Sequence, residues 1–223
     1  MRLALVILAA LCLVFSVSAF ADTVLFDDGA TDGTYNGFFI DGPNPGPFSQ
    51  SISDGFVATN SGVATSFDFG IWVPTGTTPT TVSWWLGTSE FAGDLASGTV
   101  PQIQYTFHNS NSYGYDVYVG HIDGLTGQIQ AGQTYWLTLG NANDSEFTQF
   151  DAWDVSGGPA TCLYAVGGVE QGGCGDAGEA FTLYGGVPEP GTLAMLGRIA
   201  ALRRSSGRGR PPAPQNWRLV DTV

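Results

Sequence analysis

The chain has 223 residues, 43% of them hydrophobic, and a formal net charge of −13 at pH 7. Its seven basic residues are all arginines before residue 22 or after residue 186, so residues 22–186 contain eighteen acidic residues and no lysine or arginine. Because phosphate binding needs basic side chains, nucleic acid is excluded as a partner of this segment. Lysine-dependent covalent cross-links are excluded as well.

Residues 1–21 have the pattern of a secretory signal peptide. Arg2 precedes an almost unbroken apolar run from Leu3 to Val17, and Ala19 and Ala21 place small residues at the two positions that a signal peptidase reads. We predict cleavage after Ala21. The alternative is a retained N-terminal anchor, but the run is shorter than the ~20 apolar residues of a membrane-spanning helix.

Residues 22–186 form the predicted domain, and their apolar residues alternate with polar ones in short runs. A period of two indicates β-strands, and no stretch has the 3.6-residue period of an amphipathic helix. The predicted strands are residues 24–26, 35–40, 51–57, 66–73, 82–86, 103–107, 113–119, 135–139, 149–155 and 181–184. About ten strands with no helices between them predict an all-β fold, an antiparallel β-sandwich of jelly-roll type.

Cys162 and Cys174 lie in a Gly-rich segment that we expect to be a loop. An exported chain meets an oxidising compartment, which favours a disulfide between them. The alternative is a pair of metal-binding thiolates, but a zinc site would need further Cys or His residues nearby, and none is near.

The carboxylates of the domain have no Lys or Arg with which to pair. Each therefore stays solvated, accepts backbone N–H groups or binds a cation, and we expect most to be solvated. Two loops are rich in side-chain oxygen atoms that could bind a structural Ca²⁺. We expect no other cofactor. The candidate ligands are Asp27, Asp28, Asp32, Asn141, Asn143 and Asp144. The alternative is that these are solvated turn residues.

Four tryptophans are candidates for stacking on sugar rings: Trp72, Trp85, Trp136 and Trp153. A jelly roll that turns such rings outward, with Asn, Gln or Asp nearby, would bind a polysaccharide. Aromatic residues in alternating strands are more often part of the core, and we expect this of Trp84.

The domain offers few groups for catalysis. Its imidazoles are those of His108 and His121, and it contains neither a G-x-S-x-G nor an H-E-x-x-H motif. Carboxylates such as Glu146, Asp151 and Asp154 would suit glycoside hydrolysis, although eighteen acidic residues provide such pairs by chance. We therefore predict no enzymatic activity and no catalytic residue, and a glycan hydrolase remains the least favoured of three functions.

The composition changes after Gly186. The next segment, residues 187–204, begins with Val187, Pro188, Glu189, Pro190 and Gly191. The two prolines hold the backbone extended, in the form in which a peptidase binds its substrate. The alternative is a Pro-rich linker at the end of a domain.

Together with a signal peptide at the opposite end of the chain, this segment resembles the PEP-CTERM sorting signal. In that family the Pro-Glu-Pro motif precedes a transmembrane helix and a short Arg-rich end, and an exosortase, a membrane cysteine peptidase, processes the signal. The resemblance implies export by a Gram-negative-type bacterium that makes extracellular polysaccharide. It implies an exosortase-type partner and a structural or adhesive role at the cell surface or in the biofilm matrix. A carbohydrate-binding module for that polysaccharide is the alternative function.

The segment departs from the family pattern at Arg198. The apolar stretch from Thr192 to Leu202 has about eleven residues, where a membrane span needs ~20. An Arg near its middle costs roughly 2.5–3.5 kcal/mol on insertion. We expect that this segment does not anchor the protein in the membrane and that a disordered tail follows over residues 205–223. Contact with a membrane is expected only through this signal, if it is intact.

The abrupt change near Gly197 predicts that the reading frame has slipped there. Translation of the gene in its other two frames is expected to give an apolar run of membrane-spanning length, followed by arginines. If neither frame encodes such a run, the slip is contradicted.

Overall fold

The computed structural model describes residues 20–34, 36–42, 49–100, 103–148, 150–158, 161–175 and 178–188. The predicted signal peptide up to Ala19, the sorting motif from Glu189 onward and the tail over residues 205–223 lie outside these ranges. Among the described residues, no helix has the length and apolar character needed to cross a membrane.

Fourteen strands make up the described fold, and every pair of strands with a defined register is antiparallel. They are β1 (Phe20–Asp27), β2 (Gly37–Phe39), β3 (Gln50–Val57), β4 (Gly62–Pro74), β5 (Pro79–Gly87), β6 (Ala96–Val100), β7 (Gln104–Ser110), β8 (Tyr115–Asp123), β9 (Gln128–Ile129), β10 (Thr134–Asp144), β11 (Ala152–Asp154), β12 (Thr161–Val166), β13 (Val169–Gly173) and β14 (Phe181–Pro188).

The strands form an eight-stranded and a six-stranded sheet. In the first, the order is β1-β14-β4-β11-β2, while β8 and β9 also pair with β4, and β7 pairs with β8. In the second, the order is β13-β12-β3-β10-β5-β6. The runs β1-β14-β4-β8 and β3-β10-β5-β6 have the strand order of a jelly roll, which confirms the predicted fold class.

The core lies between the inner faces of the two sheets. In β4 the residues Phe67, Phe69, Ile71 and Val73 are almost fully buried, as their alternation predicts. The opposite sheet contributes a matching set, Val82, Trp84, Leu86, Tyr135, Leu137 and Leu139, in the same cluster. Each such side chain stabilises the fold by about 1.5–3 kcal/mol when it leaves water.

Each of the ten predicted strands overlaps an observed strand, and four further strands were not predicted: β6, β9, β12 and β13. One predicted strand has its faces exchanged. In β8, Tyr118 and Ile122 lie opposite the core residues Ile71 and Phe67 of β4, whereas Val117 lies opposite Trp72 on the outer face. Val117 is nevertheless fully buried there, because the outer face carries its own small cluster with Trp72.

The Gly-rich segment that we expected to be a loop is a β-hairpin. Strands β12 and β13 pair from Leu163 with Gly173 to Val166 with Val169. Cys162 and Cys174 form a disulfide across the open end of this hairpin, with their Cα atoms 5.3 Å apart. The predicted pairing of the two cysteines is therefore confirmed.

Replacement of both cysteines by alanine is expected to lower the free energy of unfolding by about 3 kcal/mol. In the unfolded chain the disulfide joins residues 12 apart in sequence, and closing a loop of this size removes about that much conformational entropy. Urea unfolding with and without a thiol reductant measures the effect. The wild type should lose stability in reductant, while the double variant, as the control, should not respond. Equal midpoints for the wild type in both buffers would contradict the role of the bond.

Candidate functional site

A groove of about 320 Å³ lies on the outer face of the six-stranded sheet. Its lining residues are Ser49, Gln50, Ser51, Trp85, Phe91, Thr138, Asn141, Ala165, Gly168 and Glu170. They come from β3 and the residue before it, from β5 and β10, and from the β12–β13 hairpin, while Phe91 comes from the loop between β5 and β6. Its size falls within the range of small-ligand sites.

Strand pairing explains why this face is polar. Thr138 of β10 lies between Ser53 of β3 and Trp85 of β5, so the three side chains share the outer face. The Thr138 hydroxyl donates a hydrogen bond to Ser53 Oγ at 2.8 Å, and the backbone N–H of Phe91 donates to the same oxygen at 3.2 Å. These bonds attach the β5–β6 loop to the sheet beside the groove.

Trp85 is the aromatic side chain that the sheet presents to this groove. It is partly buried, whereas its neighbour Trp84 is 5% exposed and points into the core as predicted. A methyl group on Gly93 would lie 2.9 Å from Cδ1 of Trp85, so glycine at this position lets the β5–β6 loop pack against the edge of the indole.

The structure buries the other three tryptophans proposed for sugar stacking. Trp153 is 0% exposed, Trp72 4% and Trp136 8%, so none of them has a ring face open to a glycan. Trp72 lies under the rings of Tyr113 and Tyr115. Trp136 points outward but lies against Gly55, where a methyl group would meet its ring at 2.8 Å. Of the four candidates, only Trp85 remains available.

The groove combines two aromatic side chains, Trp85 and Phe91, with hydroxyl and amide groups. This set suits a sugar, since a ring face packs against an indole while Gln50, Ser51 and Asn141 offer hydrogen bonds. Glu170 is the one carboxylate among the lining residues, whereas glycoside hydrolysis uses a pair of carboxyl groups. Asp151 and Asp154, named above as candidates for hydrolysis, are fully buried and do not line this groove.

The predicted calcium loops do not gather their oxygen atoms at one point. In the first, the exposed Asp27 accepts a hydrogen bond from the N–H of Gly29, and the exposed Asp32 accepts one from the N–H of Thr34. These two are turn residues, as the alternative interpretation held. Their neighbour Asp28 is buried, with 5% exposure, and neither of its carboxylate oxygens has a hydrogen-bond partner.

In the second loop the polar side chains also serve the local backbone. Asp144 is fully buried and accepts hydrogen bonds from the N–H groups of Glu146 and Thr148. The Asn143 amide donates to Thr81 Oγ1 and to the carbonyl oxygen of Asn141. Asn141 itself lines the groove and has a left-handed backbone, with φ of 51°.

Nearly half of the described acidic side chains are buried, more than the expectation of mostly solvated acids suggests. Of the seventeen in residues 22–186 that the structure describes, eight are buried: Asp28, Asp41, Asp54, Asp116, Asp144, Asp151, Asp154 and Glu179. Asp154 is satisfied by the N–H groups of Asp32 and Gly33 and by the indole N–H of Trp72. Two groups of buried acids contain members that have no such set of donors.

The first group is Asp28, Asp54 and Glu179, which we call the inner triad. Burial raises the pKa of all three carboxyl groups. Repulsion from Asp28 adds to this effect for Asp54, and repulsion from Asp54 adds to it for Glu179, whereas the interaction with Asp54 opposes it for Asp28. The signal for this group was present in the strand Ile52-Ser53-Asp54-Gly55-Phe56, where an aspartate occupies a core-facing position between two apolar residues.

The second group is Asp41, Asp144 and Asp151. Asp151 is fully buried with no partner for either carboxylate oxygen, and its own N–H donates to Asp41 Oδ1 at 2.8 Å. Burial, followed by the charges of Asp144 and Asp41, raises the pKa of Asp151 to about 8. Burial also raises the pKa of Asp41 to about 6, against the opposing hydrogen bond from Asp151.

A carboxylate pair on the eight-stranded sheet does find a basic partner. His121 contacts Asp68 at 2.5 Å and Asp123 at 3.0 Å. Partial burial lowers the pKa of His121, but its hydrogen bonds to the two carboxylates outweigh this and raise it. The second imidazole, His108, is exposed.

Cys162, Cys174 and Glu179 bring potential metal-ligand atoms within 4.8 Å of one another. A disulfide has no thiolate to offer a metal, so this group is not a zinc site while the bond is intact. Glu179 Oε1 lies 3.3 Å from Cys162 Sγ. Because a sulfur in a disulfide carries no proton, this contact leaves the carboxylate without a donor.

Sequence reasoning identified Trp85 and Asn141 but missed most of the groove. Gln50, Ser51, Thr138 and Glu170 are ordinary polar residues of strands, and their positions in sequence do not indicate a common site. The sequence did show polar residues on the outward-facing side of β3 and β10. They indicate a shared site only when the pairing of the two strands is known.

Comparison with protein-family models finds none that matches the chain, and comparison with curated proteins finds no match either. The functional argument therefore depends on the geometry above.

The second acidic group predicts a pH-dependent stability. A raised pKa means that the folded state holds its proton more tightly than the unfolded state, so the free energy of unfolding is highest below pH ~4 and falls as the pH rises towards 8. In metal-free buffer, the decrease in the free energy of unfolding as the pH rises is expected to be smaller in Asp151→Asn than in the wild type, by on the order of 5 kcal/mol.

Urea unfolding of the wild type and the variant at intervals from pH 4 to pH 9 measures this difference. Glu146→Gln, which changes an exposed carboxylate nearby, is the matched control and should follow the wild type. If Asp151→Asn and the wild type lose stability in parallel over this range, Asp151 does not titrate as expected.

Proposed function

We propose that this chain is an exported bacterial protein of the cell surface or extracellular matrix, with an adhesive role, and that it adheres by binding polysaccharide in the groove on the six-stranded sheet. The observation that carries the proposal is the partly exposed Trp85 in a groove that also presents the hydroxyl and amide groups of five polar side chains, Ser49, Gln50, Ser51, Thr138 and Asn141. A neutral polysaccharide matches these groups, because the C–H groups of a sugar ring pack against the indole and its hydroxyl groups bond to the polar side chains.

The charge of the domain narrows the ligand class. Residues 22–186 have eighteen acidic residues and no Lys or Arg, and Glu170 lies at the groove itself. Long-range repulsion disfavours acidic polymers such as uronate-rich polysaccharides. We therefore expect neutral or amino-sugar polysaccharides as ligands.

Three features support export and surface display. The N-terminal segment has the pattern of a signal peptide. The disulfide between Cys162 and Cys174 suits an oxidising compartment. The motif that resembles the PEP-CTERM signal begins at Val187 and Pro188, which end β14 in extended backbone. An exosortase-type peptidase would meet Glu189 directly after the last strand of the sandwich.

The proposal predicts that the purified chain is retained by a neutral polysaccharide and that Trp85→Ala weakens its affinity at least tenfold. An aromatic side chain central to a binding site is worth about 2 kcal/mol or more, and 1.4 kcal/mol is a factor of ten. Gln50→Ala, which removes an amide without touching the core, should have a smaller effect. Affinity electrophoresis in gels with dextran, xylan, soluble chitosan or alginate measures both.

Phe107→Ala is the matched control, because Phe107 is 53% exposed and lies on β7 of the other sheet. It should bind as the wild type does. Circular dichroism of each variant verifies that the sandwich is intact. Retention by none of the polymers, or equal retention of the wild type and Trp85→Ala, would overturn the groove as a polysaccharide site.

A further inference from the structure

The inner triad brings together three acidic side chains from distant parts of the chain. Asp28 directly follows β1, Asp54 lies within β3, and Glu179 lies two residues before β14. In β3, Asp54 pairs with Leu137 on one side and Cys162 on the other, so it belongs to a row that faces the interior. The three residues are 5%, 1% and 0% exposed.

Direct contacts hold the triad together. Asp54 Oδ2 accepts a hydrogen bond from the backbone N–H of Glu179 at 2.8 Å. The carboxyl groups of Asp28 and Asp54 interact, since each affects the pKa of the other. Asp54 is therefore the centre of the triad and interacts with both other members.

Most of the triad's oxygen atoms lack a donor. Both oxygens of Asp28, Oδ1 of Asp54 and Oε2 of Glu179 are buried without a hydrogen-bond partner, and Oε1 of Glu179 faces the disulfide. An unpaired buried carboxylate is costly. No lysine or arginine exists in residues 22–186 to offset it.

We propose that Asp28, Asp54 and Glu179 bind a calcium ion in the interior of the sandwich. An ion would supply the positive charge that the domain's own side chains do not, and it would give the unpartnered oxygens a partner. The site is independent of the polysaccharide groove, so either proposal can fail without the other.

The donor set selects the class of metal. Carboxylate oxygens suit Ca²⁺, Mg²⁺ and Mn²⁺, and the two sulfur atoms nearby are bonded to each other and unavailable to a softer metal. Ca²⁺ accepts six to eight oxygens in flexible geometry, including bidentate carboxylates, whereas Mg²⁺ keeps several waters in a strict octahedron. A buried group of three carboxylates favours Ca²⁺.

Binding requires a small rearrangement. The three carboxyl groups do not all lie within 4.8 Å of one another, so the carboxyl groups of Asp28 and Glu179 must move closer to that of Asp54. The backbone N–H of Asp28 donates to the carbonyl oxygen of Phe181 at 3.0 Å, so the movement required of Asp28 is that of its side chain.

The test uses the full chain, freed of metal with a chelator and titrated with CaCl₂ at pH 8. Thermal unfolding is expected to shift upward by several degrees as calcium saturates the folded state. Equilibrium dialysis with ⁴⁵Ca should give one tightly bound ion per chain. MgCl₂ at the same concentration should give a smaller shift.

Two isosteric variants locate the ion. Asp28→Asn should abolish both the thermal shift and the bound calcium, while the metal-free variant unfolds at or above the temperature of the metal-free wild type, because a buried charge has been removed. Asp27→Asn changes the neighbouring exposed carboxylate and should retain both signals.

Three results would overturn the site. The first is no calcium-dependent shift and no bound ion in the wild type, which would leave the triad neutralised by protons alone. The second is an unchanged shift in Asp28→Asn. The third is a shift that survives in Asp28→Asn and disappears in Asp151→Asn, which would place the ion at the second acidic group.

Discussion

The structure depends on one electrostatic constraint. Residues 22–186 contain eighteen acidic side chains and no lysine or arginine that could neutralise those that become buried. An acidic side chain in the interior can be neutralised by N–H donors, by a proton or by a metal ion. Asp144 and Asp154 use the first means, through backbone and indole N–H groups. The inner triad and Asp151 lack enough donors, so protons or ions must neutralise them. Solution conditions therefore enter the stability of this domain directly.

The two outer faces of the sandwich differ in how they are covered. On the eight-stranded sheet, Trp72 lies beneath tyrosine rings, and the backbone N–H groups of Asp32 and Gly33 hold the segment after β1 against Asp154. On the six-stranded sheet, the β5–β6 loop and the β12–β13 hairpin border an open groove instead. The disulfide at the base of that hairpin also contacts Glu179. One hairpin thus supports both the groove and one side of the inner triad.

Much of the fold followed from local pattern. Alternation predicted ten of the strands, and the core face of β4, β5 and β10 was as expected, because a buried face imposes its period on each strand independently. The strand β13 was missed because its glycines carry little alternation, β12 because it borders that Gly-rich segment, and β9 because it has only two residues. The exchanged faces of β8 had a different cause: a second apolar cluster on the outer face buries Val117, so the apolar residues of that strand do not mark the core side.

Composition and alternation are enough to predict an acidic all-β domain and the pairing of its two cysteines, and the structure confirms both. They do not show which tryptophan faces solvent or which acids meet, because both depend on contacts between residues far apart in the chain. Trp85 joins Thr138 and Ser53 only through the pairing of three strands. Asp28, Asp54 and Glu179 meet only because the residue after β1 and the segment before β14 both pack against β3. A sequence states each residue's chemistry, but the tertiary structure alone assigns its neighbours, and the neighbours determine whether a carboxylate is a turn residue or a ligand.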